Sequence, residues 1–142
     1  MKKLVFITMI LVIIIVLGCE QKSKPSSEVE KTAVNVAETW LAMVDEGKYG
    51  QSWDEAAEFF RNAITKENWE KTLQNLRPTF GKVISREVKS TTYTTSAPGA
   101  PDGEYVIIQF NTKFTNKSRA IETVTPMKDK DGVWRVSGYY IK

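Results

Sequence analysis

Gly103-Glu104-Tyr105-Val106-Ile107-Ile108-Gln109-Phe110-Asn111-Thr112-Lys113-Phe114-Thr115 is the stretch that decides the fold. Val106, Ile108, Phe110 and Phe114 share one parity, with Thr112 between the last two. Tyr105, Ile107, Gln109, Asn111 and Lys113 share the other. Strict alternation over this length predicts a half-buried β-strand. Its Val/Ile/Phe face needs a cover, and the residues before it supply one.

Upstream, Val29, Ala33, Val36, Ala37, Trp40, Leu41 and Val44 recur at spacings of three and four. That spacing makes one apolar stripe on an amphipathic helix. Ser26 or Ser27 can cap its start, and Gly47 is placed to end it. Ser52 with Glu55 has capping-box form and predicts a second helix, with Trp53, Ala56, Ala57, Phe60 and Ile64 inward. Thr65 predicts the cap of a third helix that buries Trp69, Leu73 and Leu76, with Pro78 as its stop. Trp40, Trp53 and Trp69 read as core anchors rather than ligand-stacking groups.

From Phe80 to Thr95 the composition turns to Val, Ile, Thr and Tyr, which favours strand. The run is long and its alternation imperfect, so a bulge or bend that swaps faces is expected. Pro98-Gly99 and Pro101-Asp102-Gly103 are turn formers, and Asn116-Lys117-Ser118 makes the next turn. Strands follow over Arg119–Met127 and Val133–Ile141, joined by a hairpin loop at Asp129–Gly132. Trp134, Val136 and Tyr140 are expected on one face of the last strand. Short connections make an antiparallel meander the natural topology. The expected class is α+β: three N-terminal helices on one face of a bent four-stranded antiparallel sheet.

The chain starts differently. Lys2 and Lys3 precede an almost wholly apolar run, Leu4 to Leu17, too short to span a bilayer comfortably. The run ends in Val16-Leu17-Gly18-Cys19, which resembles the lipobox of bacterial lipoproteins. The resemblance implies cleavage after Gly18, a diacylglyceryl thioether on Cys19, and an acylated amine. The organisation expected is a signal peptide over 1–18, lipidated Cys19 and a flexible tether over 19–27, and one domain over 28–142. Membrane lipid, reached through acylated Cys19, is thus one expected partner. Glu20 follows the cysteine, where an Asp often marks inner-membrane retention. The resemblance therefore implies a lipid-anchored place in the cell envelope, on the periplasmic leaflet of the outer membrane if the source has two membranes.

Composition removes several classes of function. The net charge of +3 includes Lys2 and Lys3. Without them 18 Lys+Arg face 17 Asp+Glu, so there is no electrostatic footprint for nucleic acid. There is no histidine, and the single cysteine is Cys19. Ser-His-Asp and Cys-His catalysis are excluded, and the common zinc ligands are missing. Asp54, Glu55 and Glu58 read as a solvated helix face, and Asp129-Lys130-Asp131-Gly132 as a turn rather than a calcium loop. No cofactor, metal site or enzymatic activity is expected, with carboxylate-only catalysis the one route left. One candidate binding face remains on the open side of the sheet: Tyr105, Gln109 and Asn111, with Arg135, Ser137 and Tyr139. Tyr and Arg are favoured at binding surfaces, but an ordinary wet sheet face looks the same.

Trp40-Leu41 with Val44-Asp45, Ser52-Trp53, Ser85-Arg86-Glu87, and Tyr93-Thr94-Thr95-Ser96 running on through Pro98 to Tyr105 form a recognisable set. Glu122-Thr123-Val124 and Gly132-Val133-Trp134-Arg135-Val136 close it. On these residues the chain resembles the bacterial family catalogued as domain of unknown function 4019. The resemblance implies no activity and no functional residues. Helices before sheet is also the order of the cone-shaped nuclear-transport-factor-2-like folds, an analogy of fold that implies a pocket and no function. The expected function is a membrane-anchored, non-enzymatic domain for protein interaction or envelope assembly, with a membrane-proximal protein partner. The alternative is a small-ligand binder with its pocket between helices and sheet.

Overall fold

The computed structural model describes residues 27–142. The expected signal peptide, Cys19 and nearly all of the tether lie outside the described residues. Four helices precede four strands: α1 Ser27–Asp45, α2 Tyr49–Asp54, α3 Glu58–Ala63, α4 Lys66–Phe80, β1 Val83–Thr94, β2 Tyr105–Phe114, β3 Ala120–Lys128 and β4 Trp134–Ile141. The strands pair in the order β1-β2-β3-β4, each antiparallel to its neighbour. This is the expected α+β meander.

The alternation of β2 translates directly into packing. Val106, Ile108, Phe110, Thr112 and Phe114 are all buried. The first three join Ala33, Ala37, Trp40, Leu41 and Val44 of α1 in the main core. Trp69 and Leu73 of α4 and Phe60 of α3 complete it. The three helical tryptophans, two buried and Trp53 half-buried, satisfy their indole N–H groups. Trp40 donates to the Ser52 carbonyl at 2.8 Å, Trp53 to the Ile64 carbonyl at 2.8 Å, and Trp69 to Ser52 Oγ at 3.0 Å. Phe60 meets Trp69 edge-on at 4.9 Å between centroids, a favourable aromatic geometry. Thr65 caps α4 as expected, accepting from the Asn68 N–H at 3.3 Å.

Four helices stand where three were expected. Ser52 is not a cap: it lies inside α2, fully buried, and donates to the Tyr49 carbonyl at 2.7 Å. The chain then leaves the helix at Ala56 and Ala57, and Ala57 is extended. Its N–H donates to the Val136 carbonyl of edge strand β4 at 2.8 Å. Two residues with the best helix propensity thus sit at a helix break, because a strand-edge acceptor and a buried site for small side chains outweigh about 0.5 kcal/mol per residue of local preference. The break also separates Asp54 from Glu58, which do not share a helix. Asp54 pairs instead with Lys66 at 2.7 Å.

Pro78 does not stop α4 but lies inside it. Gly81 is the terminator, at φ +78°. A Cβ there would fall 2.0 Å from Thr115 Oγ1, so no other residue fits without rebuilding the turn.

The predicted irregularity of β1 appears as two register shifts against β2, between Val83 and Ser85 and between Val88 and Ser90. A third shift, between Thr125 and Pro126, was not expected from the sequence reading. It lets two residues of β4 oppose one bond of β3 and swaps the faces of β4 beyond it. Trp134 and Val136 pack on the helix side as expected. Tyr140 does not join them but is exposed, and Tyr139 turns toward the helices instead.

Candidate functional site

The most polar part of the interior is built on β2 and β3. Register opposes Thr112 to Ala120 and Phe110 to Glu122, which points Glu122 into the helix-covered face. Its side chain is 0% exposed. Four groups answer that charge. Thr112 Oγ1 donates to Glu122 Oε1 at 2.6 Å, Arg86 Nε to the same oxygen at 2.8 Å, and Tyr139 OH to Oε2 at 2.7 Å. Arg77 Nη1 lies 3.7 Å from Oε2. Asp45, at the end of α1, closes the cluster: it accepts from Arg77 at 2.7 Å and from both terminal nitrogens of Arg86 at 2.7 and 3.0 Å.

Two arginines and two carboxylates balance. Burial disfavours the Arg86 cation, but hydrogen bonds to Asp45 and Glu122 outweigh it and raise its pKa. Burial and the neighbouring Glu122 raise the Tyr139 phenol well above its ordinary value, so it stays a donor. The Arg77 guanidinium also lies over the Phe114 ring, 5.1 Å from its centroid. Every carboxylate oxygen of Glu122 is engaged, and the tyrosine is locked neutral. Such an arrangement ties α1, α4 and all four strands together through one buried network.

The open face of the sheet is different. α3 and the segment between β1 and β2 fold over one end of it. Phe59, Ala97 and Ala100 form a wall around Tyr105 and Met127. Beside this wall is a groove of about 390 Å³ floored by Ile107, Thr123 and Ser137. Tyr140 is 53% exposed at its rim. Thr123 is 6% exposed, and its Oγ1 is the buried side-chain polar atom that lacks a hydrogen-bond partner among the described residues. Leaving such a group unpaired costs about 1–3 kcal/mol.

The six residues expected to share a binding face are dispersed. Tyr105 is on the open side but buried, its hydroxyl donating to the Pro101 carbonyl; burial, then Asp102, raises its pKa. Gln109 is half-buried and accepts from Ser90 at 3.4 Å. Asn111 is exposed at the other end of the strand. Ser137 lines the groove and donates to the Thr125 carbonyl at 2.7 Å. Arg135 is committed to the hairpin, bonding Asp129 at 3.0 Å and Asp131 at 2.9 Å. Tyr139 is on the opposite face altogether. The sequence signal for that reversal was Pro126: a proline in a central strand cannot donate to the ladder and marks a bulge.

A match to the family described as "Protein of unknown function (DUF4019)" covers residues 36–139. The chain belongs to the DUF4019 family. The matched range contains the whole charge network, all four strands except the final residues of β4, and the groove residues other than Tyr140. No curated protein matches the sequence.

Proposed function

We propose that this DUF4019 domain is a lipid-anchored, non-enzymatic interaction module that receives an apolar segment of a partner protein in the open-face groove. The observation that carries the interaction is the groove itself: aromatic and aliphatic walls, an exposed tyrosine at the rim, and one unsatisfied hydroxyl at the floor. Tyrosines beside apolar pockets are favoured binding anchors. A partner side chain with a hydrogen-bonding group would fill the groove and engage Thr123. Anchoring rests on Val16-Leu17-Gly18-Cys19 after a short apolar run. With Ser27 already in α1, a tether of seven residues, Glu20 to Ser26, spans about 13–16 Å root-mean-square, so the partner is expected at or in the same membrane.

The alternative of a small-ligand pocket between helices and sheet, as in cone-shaped folds, has less support. The centre of that space holds the tryptophan cluster and the paired charges of Asp45, Arg77, Arg86 and Glu122, and a cleft of about 430 Å³ is left only at its edge, between α1 and β4.

A photo-cross-linker at Pro98, on the groove rim, tests the module in native membranes, with Lys71 on α4 as the control position. The Pro98 probe should capture a membrane-associated protein, and Tyr140→Glu should abolish the capture. Persistence in Tyr140→Glu, or equal capture from Lys71, would overturn the reading. Labelled fatty acid should enter the wild type and not Cys19→Ser; equal labelling removes the anchor.

A further inference from the structure

A second concavity lies at the other end of the open face, around the β2–β3 turn. It has a volume of about 590 Å³. Lys113, Arg119 and Lys142 line it, against a single acid, Glu87. Ser85, Asn111 and Ser118 add hydroxyl and amide groups. The register explains the convergence. Ser85 opposes Lys113, Glu87 opposes Asn111, and Asn111 opposes Ile121, whose backbone pairs with Lys142.

Of the sixteen lysines and arginines among residues 27–142, nine hold no carboxylate within 4 Å, and three of those nine converge on this cleft. Lys48, Lys66, Lys71, Lys128 and Arg135 each hold a carboxylate within 4 Å, as do the buried Arg77 and Arg86. Among the described residues, Lys113, Arg119 and Lys142 form no such pair. Like charges gathered unpaired on one concavity repel one another, and a bound anion relieves that repulsion.

We propose that this cleft binds a phosphate-bearing ligand. Three cations against Glu87 give the cleft a positive excess, the sign that a phosphate requires. The surrounding hydroxyl and amide groups offer more donors than the two oxygens of a carboxylate can use. A lipid headgroup and a soluble phosphate ester share this chemistry, and position separates them. The cleft lies beside Val83, where β1 begins. Toward the other end of β1, Thr91 Oγ1 donates to Glu30 in the first turn of α1 at 3.2 Å. Ser85 of the cleft and Thr91 are six residues apart, about 20 Å along the strand. A domain anchored ahead of α1 turns the cleft away from its own bilayer, so the ligand is a soluble or polymer-borne phosphate. The choice of source rests on the anchoring proposed above; the phosphate chemistry does not.

The test titrates inorganic pyrophosphate into the full chain held in a nonionic detergent, followed by amide NMR shifts and calorimetry. Saturable shifts should appear at Ser85, Asn111, Ser118 and Arg119 and not at the Asp129–Gly132 hairpin. Lys113→Gln with Arg119→Gln should weaken binding about tenfold or more at an unchanged melting temperature, since loss of about 1.4 kcal/mol is tenfold. Glu87→Gln should tighten it. Absence of saturable shifts, shifts spread equally to the hairpin, or an unchanged Kd in the double variant would overturn the site. Phosphatidylglycerol and phosphatidylcholine vesicles form the second arm. Protection of the cleft amides by phosphatidylglycerol alone, with no response to pyrophosphate, would overturn the soluble source.

Discussion

Arg86 and Arg135 each bridge two carboxylates, yet they occupy opposite environments. Arg86 lies under the helices between Asp45 and Glu122, with 13% of its side chain exposed and Glu122 wholly out of water. Arg135 is at the tip of the sheet between Asp129 and Asp131, where Asp131 is 54% exposed. The hydrogen bonds are of similar length. What differs is the state each group falls back to when its partner is removed. Water rehydrates an exposed charge at little cost, whereas a buried one stays uncompensated.

Glu122→Ala should give the largest effect. It strands Arg77 and Arg86 in the interior and frees Thr112 and Tyr139, so a loss of about 3–5 kcal/mol is expected, comparable with the total stability of a small domain. Chemical denaturation of Glu122→Ala and Glu122→Gln measures it. The amide keeps the volume and part of the hydrogen bonding and should recover only a part. If Glu122→Ala cost no more than an ordinary surface change, the contrast between the clusters would collapse.

Phe110→Ala and Asn111→Ala compare the two faces at adjacent positions of one strand. Phe110 is fully buried and Asn111 exposed. The first should cost about 3–5 kcal/mol and the second less than about 0.5 kcal/mol. Equal losses would show that the helix cover does not distinguish the faces.

Tyr139→Phe should have a smaller effect at neutral pH, about 1–3 kcal/mol for the hydrogen bond to Glu122. Its signature is at alkaline pH. The Tyr139 phenol is raised in the fold, so folding favours its neutral form. That contribution is complete below the unfolded value near 10 and is lost as pH rises above it. Tyr93 and Tyr105 are raised too and keep part of the slope. Tyr139→Phe should therefore lose stability less steeply above pH 10 than the wild type. Parallel curves would place Tyr139 in water rather than against Glu122.

Arg135→Ala should give the smallest effect. The Asp131 carboxyl is held down at about 2 by the hydrogen bond from Arg135, with the Val133 N–H assisting. A carboxylate lowered in the fold stabilises above its unfolded value and loses that effect as pH falls toward 2. In Arg135→Ala the Asp131 carbon resonance should titrate closer to 4, with almost no change in melting temperature near pH 7. A large drop in melting temperature would put this hairpin on the same footing as the buried network.

Most of the fold was legible because its elements are locally encoded. The period of β2 set its buried face, the stripe of α1 set its inward side, and Thr65 set the start of α4. The charge network was legible only as residues. Asp45, Arg77, Arg86 and Glu122 sit far apart in the chain, and Glu122 carries no local sign that it is buried. Its parity on β3 points inward only once Phe110 is known to oppose it. Tyr139 left the candidate face for a related reason, since the bulge opposite Pro126 reverses the side chains of β4 that follow it.

The sequence by itself determined the helix-then-meander order, the buried face of β2 and the lack of histidine chemistry. Each follows from spacing, backbone sterics or composition within a few residues. Tertiary structure alone decided the break between α2 and α3, the destination of Tyr139, the pairing of the interior charges and the unpaired cations around the β2–β3 turn. These depend on which strands lie side by side and on how much water reaches the groups between them, and neither is a property of any short stretch of chain.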